Sequence, residues 1–427
     1  MNSMTRRRFT QTVAGVAGAG LLAGLGRAAY GQQARPRVVV IGGGAGGATA
    51  ARYLAKDSQG AIDVTLIEPT KTYYTCFFSN LYLGGFRTLE STGHTYGKLA
   101  SDYGINVLHD WAVAIDRDAK TVALAGGGSV PYDKLVIAPG IDLIYDSVPG
   151  YSLEASGVMP HAWKAGTQTT LLKNKIAAMR EGGTFVMVPP PNPYRCPPGP
   201  YERVSMVAHM LKQSNPTAKI IVLDPKEAFS KQALFMEGWE KHYPGMVEWL
   251  PASIHGGIEA VDVASGEIVT GLDTFKADVG NIIPAQKAGL IAENAGLAND
   301  SGFCPIEPAT LQSKADGNIH VIGDACIAGD MPKSGFSANS QAKAAAMAIR
   351  ADLTGSSKFP PRFSNTCWSL IATDDGVKVG ARYEAGEEKI ASVDSFISKT
   401  GEDAVLRKAT YEESVGWYEG ITADIFG

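Results

Sequence analysis

The chain reads as an α/β protein with two Rossmann-like nucleotide-binding domains and a smaller α+β C-terminal domain. Three features lead there: a glycine-rich turn between an apolar strand and a helix near residue 42, a second strand-helix-strand unit starting near residue 184, and a break at Phe359-Pro360-Pro361. With 427 residues, 45% of them hydrophobic, there is material for two or three packed cores.

The first unit begins with Arg37-Val-Val-Val-Ile41, an apolar run that suits a strand covered on both faces. Gly42, Gly44 and Gly47 follow in G-x-G-x-x-G spacing. Glycines there allow a tight turn and a close approach to a pyrophosphate seated on the helix N-terminus. The next strand, Asp63–Ile67, ends in Glu68, whose carboxylate is placed to take ribose hydroxyls.

The second unit has the same order: strand 184–188, a helix near Tyr201 to Gln213, and strand 219–223 ending in Asp224. Its turn is different. Residues 189–202 read PPPNPYRCPPGPYE, with seven prolines and Cys196. Proline has no N–H to donate, so this loop is not expected to form the amide cradle a second dinucleotide needs. NAD(P)H is therefore not the expected electron source. The loop is either re-used to place Cys196 or is what remains after a duplicated site lost its ligand.

At the N-terminus, Thr5-Arg6-Arg7-Arg8-Phe9, the apolar run Val13 to Leu25 and the small residues near Gly31 are expected to form a twin-arginine export signal over 1–31. A short amphipathic helix is the alternative. Export would put the protein in the periplasm, where disulfides persist. No later segment carries 18 uninterrupted apolar residues, so no transmembrane segment is expected after signal removal. A net charge of -4 without a basic stripe argues against nucleic acid. The five cysteines show neither zinc spacing nor Cys-x-x-Cys-His, so neither a metal nor a haem is expected in this chain.

Two further segments point to a superfamily. Tyr132 to Gly140 looks like the strand-to-turn element of the FAD- and NAD-linked disulfide reductases, and Gly317 to Ala325 resembles their late FAD motif, with Asp324 at the ribitol. Longer stretches, Tyr73 to Asn80, Tyr194 to Arg203, Met331 to Ser340 and Asn365 to Cys367, resemble the flavoprotein subunit of flavocytochrome c sulfide dehydrogenase, a relative of the sulfide:quinone oxidoreductases.

That resemblance implies a glutathione-reductase-like fold and FAD. Cys76 is implied to form a thioether to the flavin; the alternative is a buried cysteine among Tyr74 and Phe77. Cys196 and Cys367 are implied to form a redox-active disulfide; the alternative is a structural staple, stabilising by roughly 4–5 kcal/mol in the chain-entropy model. Glu202 is either the base for sulfide or a solvated carboxylate at a helix start. Lys333 either stabilises charge on the reduced flavin or is a surface lysine. The N-terminus of an Ala-rich helix over Ser337 to Arg350 could aim at the flavin. Cys304 belongs to the family pattern and Cys326 departs from it, so these two are free, bridged to each other, or in competition with the first pair.

The implied function is periplasmic oxidation of sulfide to sulfur or polysulfide, with electrons passed to a c-type cytochrome subunit in a heterodimer. The alternatives are a peripheral sulfide:quinone oxidoreductase and a non-catalytic flavoprotein partner of a sulfur-oxidising complex. Residues 401–427 are expected to form a helix that covers a domain or faces a subunit, rather than one that touches a membrane. The expected domains are 32–150 with 308–356 for FAD, 151–307 for the second nucleotide-like unit, and 357–427 at the C-terminus.

Overall fold

A computed structural model describes residues 34–427. The export signal read over 1–31 lies outside the described residues. In chain order, the elements that position the site begin with β1 (Arg37–Ile41), α1 (Ala45–Ser58), β2 (Asp63–Ile67), β3 (Asn106–Leu108) and β4 (Lys134–Ile137). Then come β5 (Thr184–Val188), α2 (Gly199–Ser214), β6 (Lys219–Asp224), α3 (Gln232–His242), β7 (Val247–Pro251) and β8 (Val279–Ile282). The chain continues through β9 (Asp316–Val321) and α4 (Gly335–Thr354), and closes with β10 (Arg362–Ala372), β11 (Asp375–Ala385), β12 (Ile390–Ile397) and α5 (Ala404–Phe426).

The first sheet runs β9-β4-β1-β2-β3, all parallel, with the short strand Gln312–Ser313 antiparallel at its β9 edge. Val38 to Ile41 are buried, which is why β1 is apolar at successive positions instead of alternating. The second sheet, β7-β6-β5-β8, is also parallel. The third, β10-β11-β12, is an antiparallel meander that places Cys367 opposite Val379. Two Rossmann-like parallel sheets and an α+β tail, with smaller antiparallel sheets over 112–131 and 258–276, make up the fold.

Helices α1 and α4 lie against each other through small residues, among them Ala48, Ala51, Ala342 and Ala345, all buried. Small side chains let the two axes approach closely. Thr49 Oγ1 accepts from Asn339 Nδ2 across that contact at 3.0 Å. Helix α2 starts at Gly199 with Pro200 in its first turn, two residues before the expected start. Proline fits there because the first N–H groups of a helix lack intrahelical partners.

Helix α5 packs on β11 and α1, burying Tyr418, Ile421, Ile425 and Phe426. It is held at its N-terminal end by Arg407, which reaches Asp375 at 3.1 Å, Glu402 at 3.2 Å and Glu237 at 3.6 Å. At its C-terminal end Asp424 takes Tyr53 and Asn339 as donors and pairs with Lys343 at 2.7 Å. The segment covers the domain, as one of the sequence alternatives has it. Among the described residues no helix is long and apolar enough to cross a membrane.

Candidate active site

A cavity of ≈ 670 Å³ opens at the carboxyl ends of β1, β4 and β9, where parallel nucleotide-binding sheets receive their ligands. Gly42, Gly44 and Glu68 line one end of it and Asp324 the other. Gly42 has φ +95°, and a Cβ there would lie 2.4 Å from the Ala138 carbonyl oxygen. At Gly47 a Cβ would lie 1.8 Å from the Gly42 carbonyl oxygen. The turn therefore closes only with glycine at both positions. Glu68 Oε2 accepts from the Gly43 N–H at 2.7 Å, and Oε1 accepts from Thr70 N and Oγ1 at 2.9 and 2.6 Å. This fixes the carboxylate at the lip of the cavity.

Asp324 lies in the short turn after β9. Its Oδ2 is 3.6 Å from Arg195 Nη1, while Oδ1 is buried without a hydrogen-bond partner among the described residues. Burial pushes this carboxyl up, against the pull of Arg195 and Lys333. A buried acceptor without a donor costs about 1–3 kcal/mol. A ligand hydroxyl would satisfy it, and that fits the polyol chain of FAD with its pyrophosphate on the α1 N-terminus.

Cys76 lines this cavity and also a second, narrower one of ≈ 80 Å³. Cys196, Cys367 and Glu202 join Cys76 in the second wall. Ser334, the N-cap of α4, and Gly335, its first residue, line both cavities, so that helix does start at the site. Cys196 has φ +60° and its N–H is held by the Lys333 carbonyl at 2.8 Å. Gly199 must be glycine here, since a Cβ would lie 2.8 Å from Cys196 Sγ. Cys367 comes from β10, where Asn365 Nδ2 donates to its sulfur at 3.4 Å.

All five cysteines are unbridged thiols in this structure. Burial raises Cys76 and Cys367, and it raises Cys196 well above the usual thiol range, with Cys367 the next contributor. Three tryptophans, Trp163, Trp368 and Trp417, line the narrow cavity, and their indole N–H groups have no acceptor among the described residues.

Glu202 is in the first turn of α2, yet it is not solvated. Asn80 Nδ2 donates to Oε2 at 2.8 Å and the Leu370 N–H to Oε1 at 3.0 Å. Burial pushes its carboxyl up. Lys333 is not a surface lysine either: Nζ donates to the carbonyls of Asp324 and Cys326, both at 2.8 Å, and lies 3.7 Å from the Phe303 ring centroid. Its side chain is not part of either cavity wall. Cys304 and Cys326 pair as Cα partners on two short parallel strands, fully buried, and they also stand outside both walls.

Several residues at the site carried no sequence role. Arg195, Asn80, Arg203 and Asn365 fall inside the stretches that carry the resemblance, without individual assignment. Lys231 falls outside them all. It is buried, and its Nζ donates to the Cys367 carbonyl at 2.9 Å and to Ser369 Oγ at 2.8 Å. No local pattern marks it.

Three family models match stretches of this chain. Residues 36–177 match the family described as pyridine nucleotide-disulphide oxidoreductase, and the chain has the fold of that class. Residues 169–284 match the central part of the sulfide dehydrogenase [flavocytochrome c] flavoprotein chain, and residues 359–426 match the flavocytochrome c sulphide dehydrogenase flavin-binding family. The chain belongs to the flavocytochrome c sulfide dehydrogenase flavoprotein family.

Among its relatives, the sulfide dehydrogenase flavoprotein chain of Chlorobaculum thiosulfatiphilum is 57% identical over 44 residues, 10% of this chain and 90% of that sequence. The mitochondrial sulfide:quinone oxidoreductase of Dictyostelium discoideum is 22% identical over 301 residues, so the match spans 67% of this chain and 65% of that relative's length. The crystal structure of the sulfide:quinone oxidoreductase of Aquifex aeolicus superposes with a TM-score of 0.69 at 19% identity, covering 92% of each chain.

Proposed function

We propose that this chain oxidises sulfide to sulfur or polysulfide, with Cys196 and Cys367 as a redox-active disulfide and FAD held covalently through Cys76. One observation carries the reading: Cys196 and Cys367, from distant parts of the chain, line one cavity with Glu202, and Cys76 joins that cavity to the glycine-cradled one.

The chemistry of the protein groups is thiol-disulfide exchange. Glu202, its carboxyl pushed up by burial, is suited to take the proton of hydrogen sulfide. Hydrosulfide bonds to one sulfur of the pair, the S–S bond breaks, and the other sulfur leaves as thiolate. Asn80 and the Leu370 N–H keep the Glu202 carboxylate in the wall while this happens. The left-handed backbone of Cys196, fixed by the Lys333 carbonyl and followed by Pro197 and Pro198, holds its sulfur in place for the exchange. A second hydrosulfide takes the outer sulfur of the persulfide away as hydrogen disulfide and leaves the pair reduced; when bound, FAD would supply the two-electron acceptor that restores the disulfide, and Gly42, Gly44, Gly47, Glu68 and Asp324 would hold it.

A nicotinamide donor finds little support in the second unit. Asp224, at the end of β6 where a ribose carboxylate would stand, is fully buried. It accepts from Tyr201 Oη at 2.6 Å and Trp249 Nε1 at 2.9 Å, and pairs with Lys226 at 2.7 Å. Electrons leave instead to a c-type cytochrome subunit in the periplasm, the reading that the sulfide dehydrogenase relatives support. The likeness to two sulfide:quinone oxidoreductases favours quinone as the second reading.

The acceptor assay tests both. Sulfide-dependent reduction of cytochrome c, measured with the co-purified partner and compared with a short-chain quinone, is expected to favour the cytochrome. Faster quinone reduction would move the chain to the second reading. Reduction of neither, with sulfide present, would remove the activity altogether.

A further inference from the structure

Lys231 carries a charge that the exchange chemistry above leaves unused. It stands just before α3 with φ 63° and ψ 26°, a left-handed backbone that non-glycine residues seldom adopt. Its side chain is only 5% exposed. Its two acceptors, the Cys367 carbonyl and the Ser369 hydroxyl, are both neutral. A buried ammonium is costly unless an anion balances it. The ionisable groups it faces are Cys367, Glu202 and Cys196.

The exchange step supplies such an anion. Hydrosulfide arrives with one negative charge, bonds to one sulfur of the Cys196 to Cys367 disulfide, and the S–S electron pair leaves on the other sulfur. The incoming sulfur is oxidised and the disulfide reduced, and the pocket holds a single negative charge before and after. We infer that Lys231 is the counter-charge of this pocket, a positioning residue that stabilises anionic sulfur at Cys367 and makes the narrow cavity a site for small monoanionic sulfur nucleophiles. The substrate side of this inference rests on the function proposed above.

Other groups bear on Cys367. Glu202 from α2 and Tyr383 from β11 face it, and Asn365 donates to its sulfur. Cys196 faces it from the proline loop, itself neighboured by Arg203, Arg195 and Cys76. Lys231 acts on Cys367 in the lowering direction, against burial. Burial lowers Lys231 itself to about 8, which leaves it an ammonium at neutral pH.

The test uses the FAD-loaded protein carrying Cys196→Ser, so that Cys367 cannot bridge to Cys196. Alkylation of the Cys367 peptide by iodoacetamide is followed across pH by mass spectrometry. Lys231→Met removes the charge, and Lys231→Gln removes it while keeping an N–H donor; a folded, flavin-containing protein from either suffices. The alkylation midpoint is expected to rise by about one unit or more, roughly a tenfold loss of thiolate at neutral pH. Lys231→Arg is expected to restore most of it. An unchanged midpoint, or equal shifts for the neutral and the arginine variants, would overturn the inference. Alkylation needs no sulfide, so a wild type that sulfide fails to reduce would defeat the proposed substrate and leave the result on Lys231 standing.

Discussion

The turn after β1 and the turn after β5 occupy the same place in two strand-turn-helix units, and they are built from opposite residues. The first is Gly42-Gly43-Gly44, whose first two N–H groups go to the Ile67 carbonyl and the Glu68 carboxylate and so fix the turn that leaves the α1 N-terminus to face a phosphate; the second runs from Pro189 to Pro198. Around the first, a carboxylate at the end of the next strand, Glu68, sits at the lip of an open cavity. Around the second, the matching carboxylate, Asp224, is consumed by Tyr201, Trp249 and Lys226. The same topology thus serves once as a dinucleotide cradle and once as a rigid mount for a thiol. A parallel sheet fixes where a turn lies, and the turn's own residues decide what it can hold.

The comparison can be broken most severely at Gly47. In Gly47→Val the new side chain meets the Gly42 carbonyl, and flavin content by absorbance is expected to fall below about a tenth of wild type. Retention of flavin would show that the cradle does not depend on that contact.

A break away from both turns serves as a contrast. Arg407→Met takes from buried Asp375 its arginine and leaves it His242 and the more exposed Lys241, and is expected to cost about 2–3 kcal/mol in denaturant unfolding, with the flavin spectrum of the folded protein unchanged. Burial pushes the Asp375 carboxyl up, but the His242 hydrogen bond and Arg407 outweigh this and hold it below the usual carboxylate range. Its stabilising contribution is therefore full above about pH 4 and is lost as pH falls through the depressed value. The Arg407 variant should show a shallower acid limb.

At the proline-built turn the effects become kinetic. Glu202→Gln is expected to slow sulfide-driven flavin reduction by about 100-fold. The wild-type rate should fall as acid protonates the raised Glu202 carboxyl, and the variant should lose that limb. An unchanged rate would leave Glu202 as a structural acceptor for Asn80 and Leu370. Pro197→Ala is expected to have the smallest effect, a few-fold loss in rate with flavin content intact, because the Lys333 carbonyl still holds the Cys196 N–H. NADH should reduce the flavin no faster than buffer; rapid reduction would erase the contrast between the two turns.

Most of the framework was legible because it is written in local patterns. The runs at 37–41, 63–67, 184–188 and 219–223 are strands, since buried parallel strands are apolar at consecutive positions. Gly42, Gly44, Gly47 and Glu68 are candidates because each sits at a fixed offset from such a strand, whereas Asp324 was read through resemblance to a late FAD motif. The cysteine cavity was legible only through resemblance, as nothing local relates Cys76, Cys196 and Cys367. Lys231 and Lys333 show where reading a sequence stops. Long side chains take their direction from the tertiary fold: Lys333 turns to the carbonyls of Asp324 and Cys326, whereas Lys231, with no motif around it, turns to the Cys367 carbonyl behind the cavity wall. The pairing of Cys304 with Cys326 is likewise a product of two distant strands meeting.

The central claim is that the Cys196 to Cys367 pair lies between sulfide and FAD. One equivalent of sulfide, added without oxygen to the purified protein and to Cys367→Ser, with flavin absorbance followed in both, tests it most directly. The account predicts bleaching of the wild type and none in the variant. Equal bleaching in both would take the cysteine pair off the electron path and contradict it.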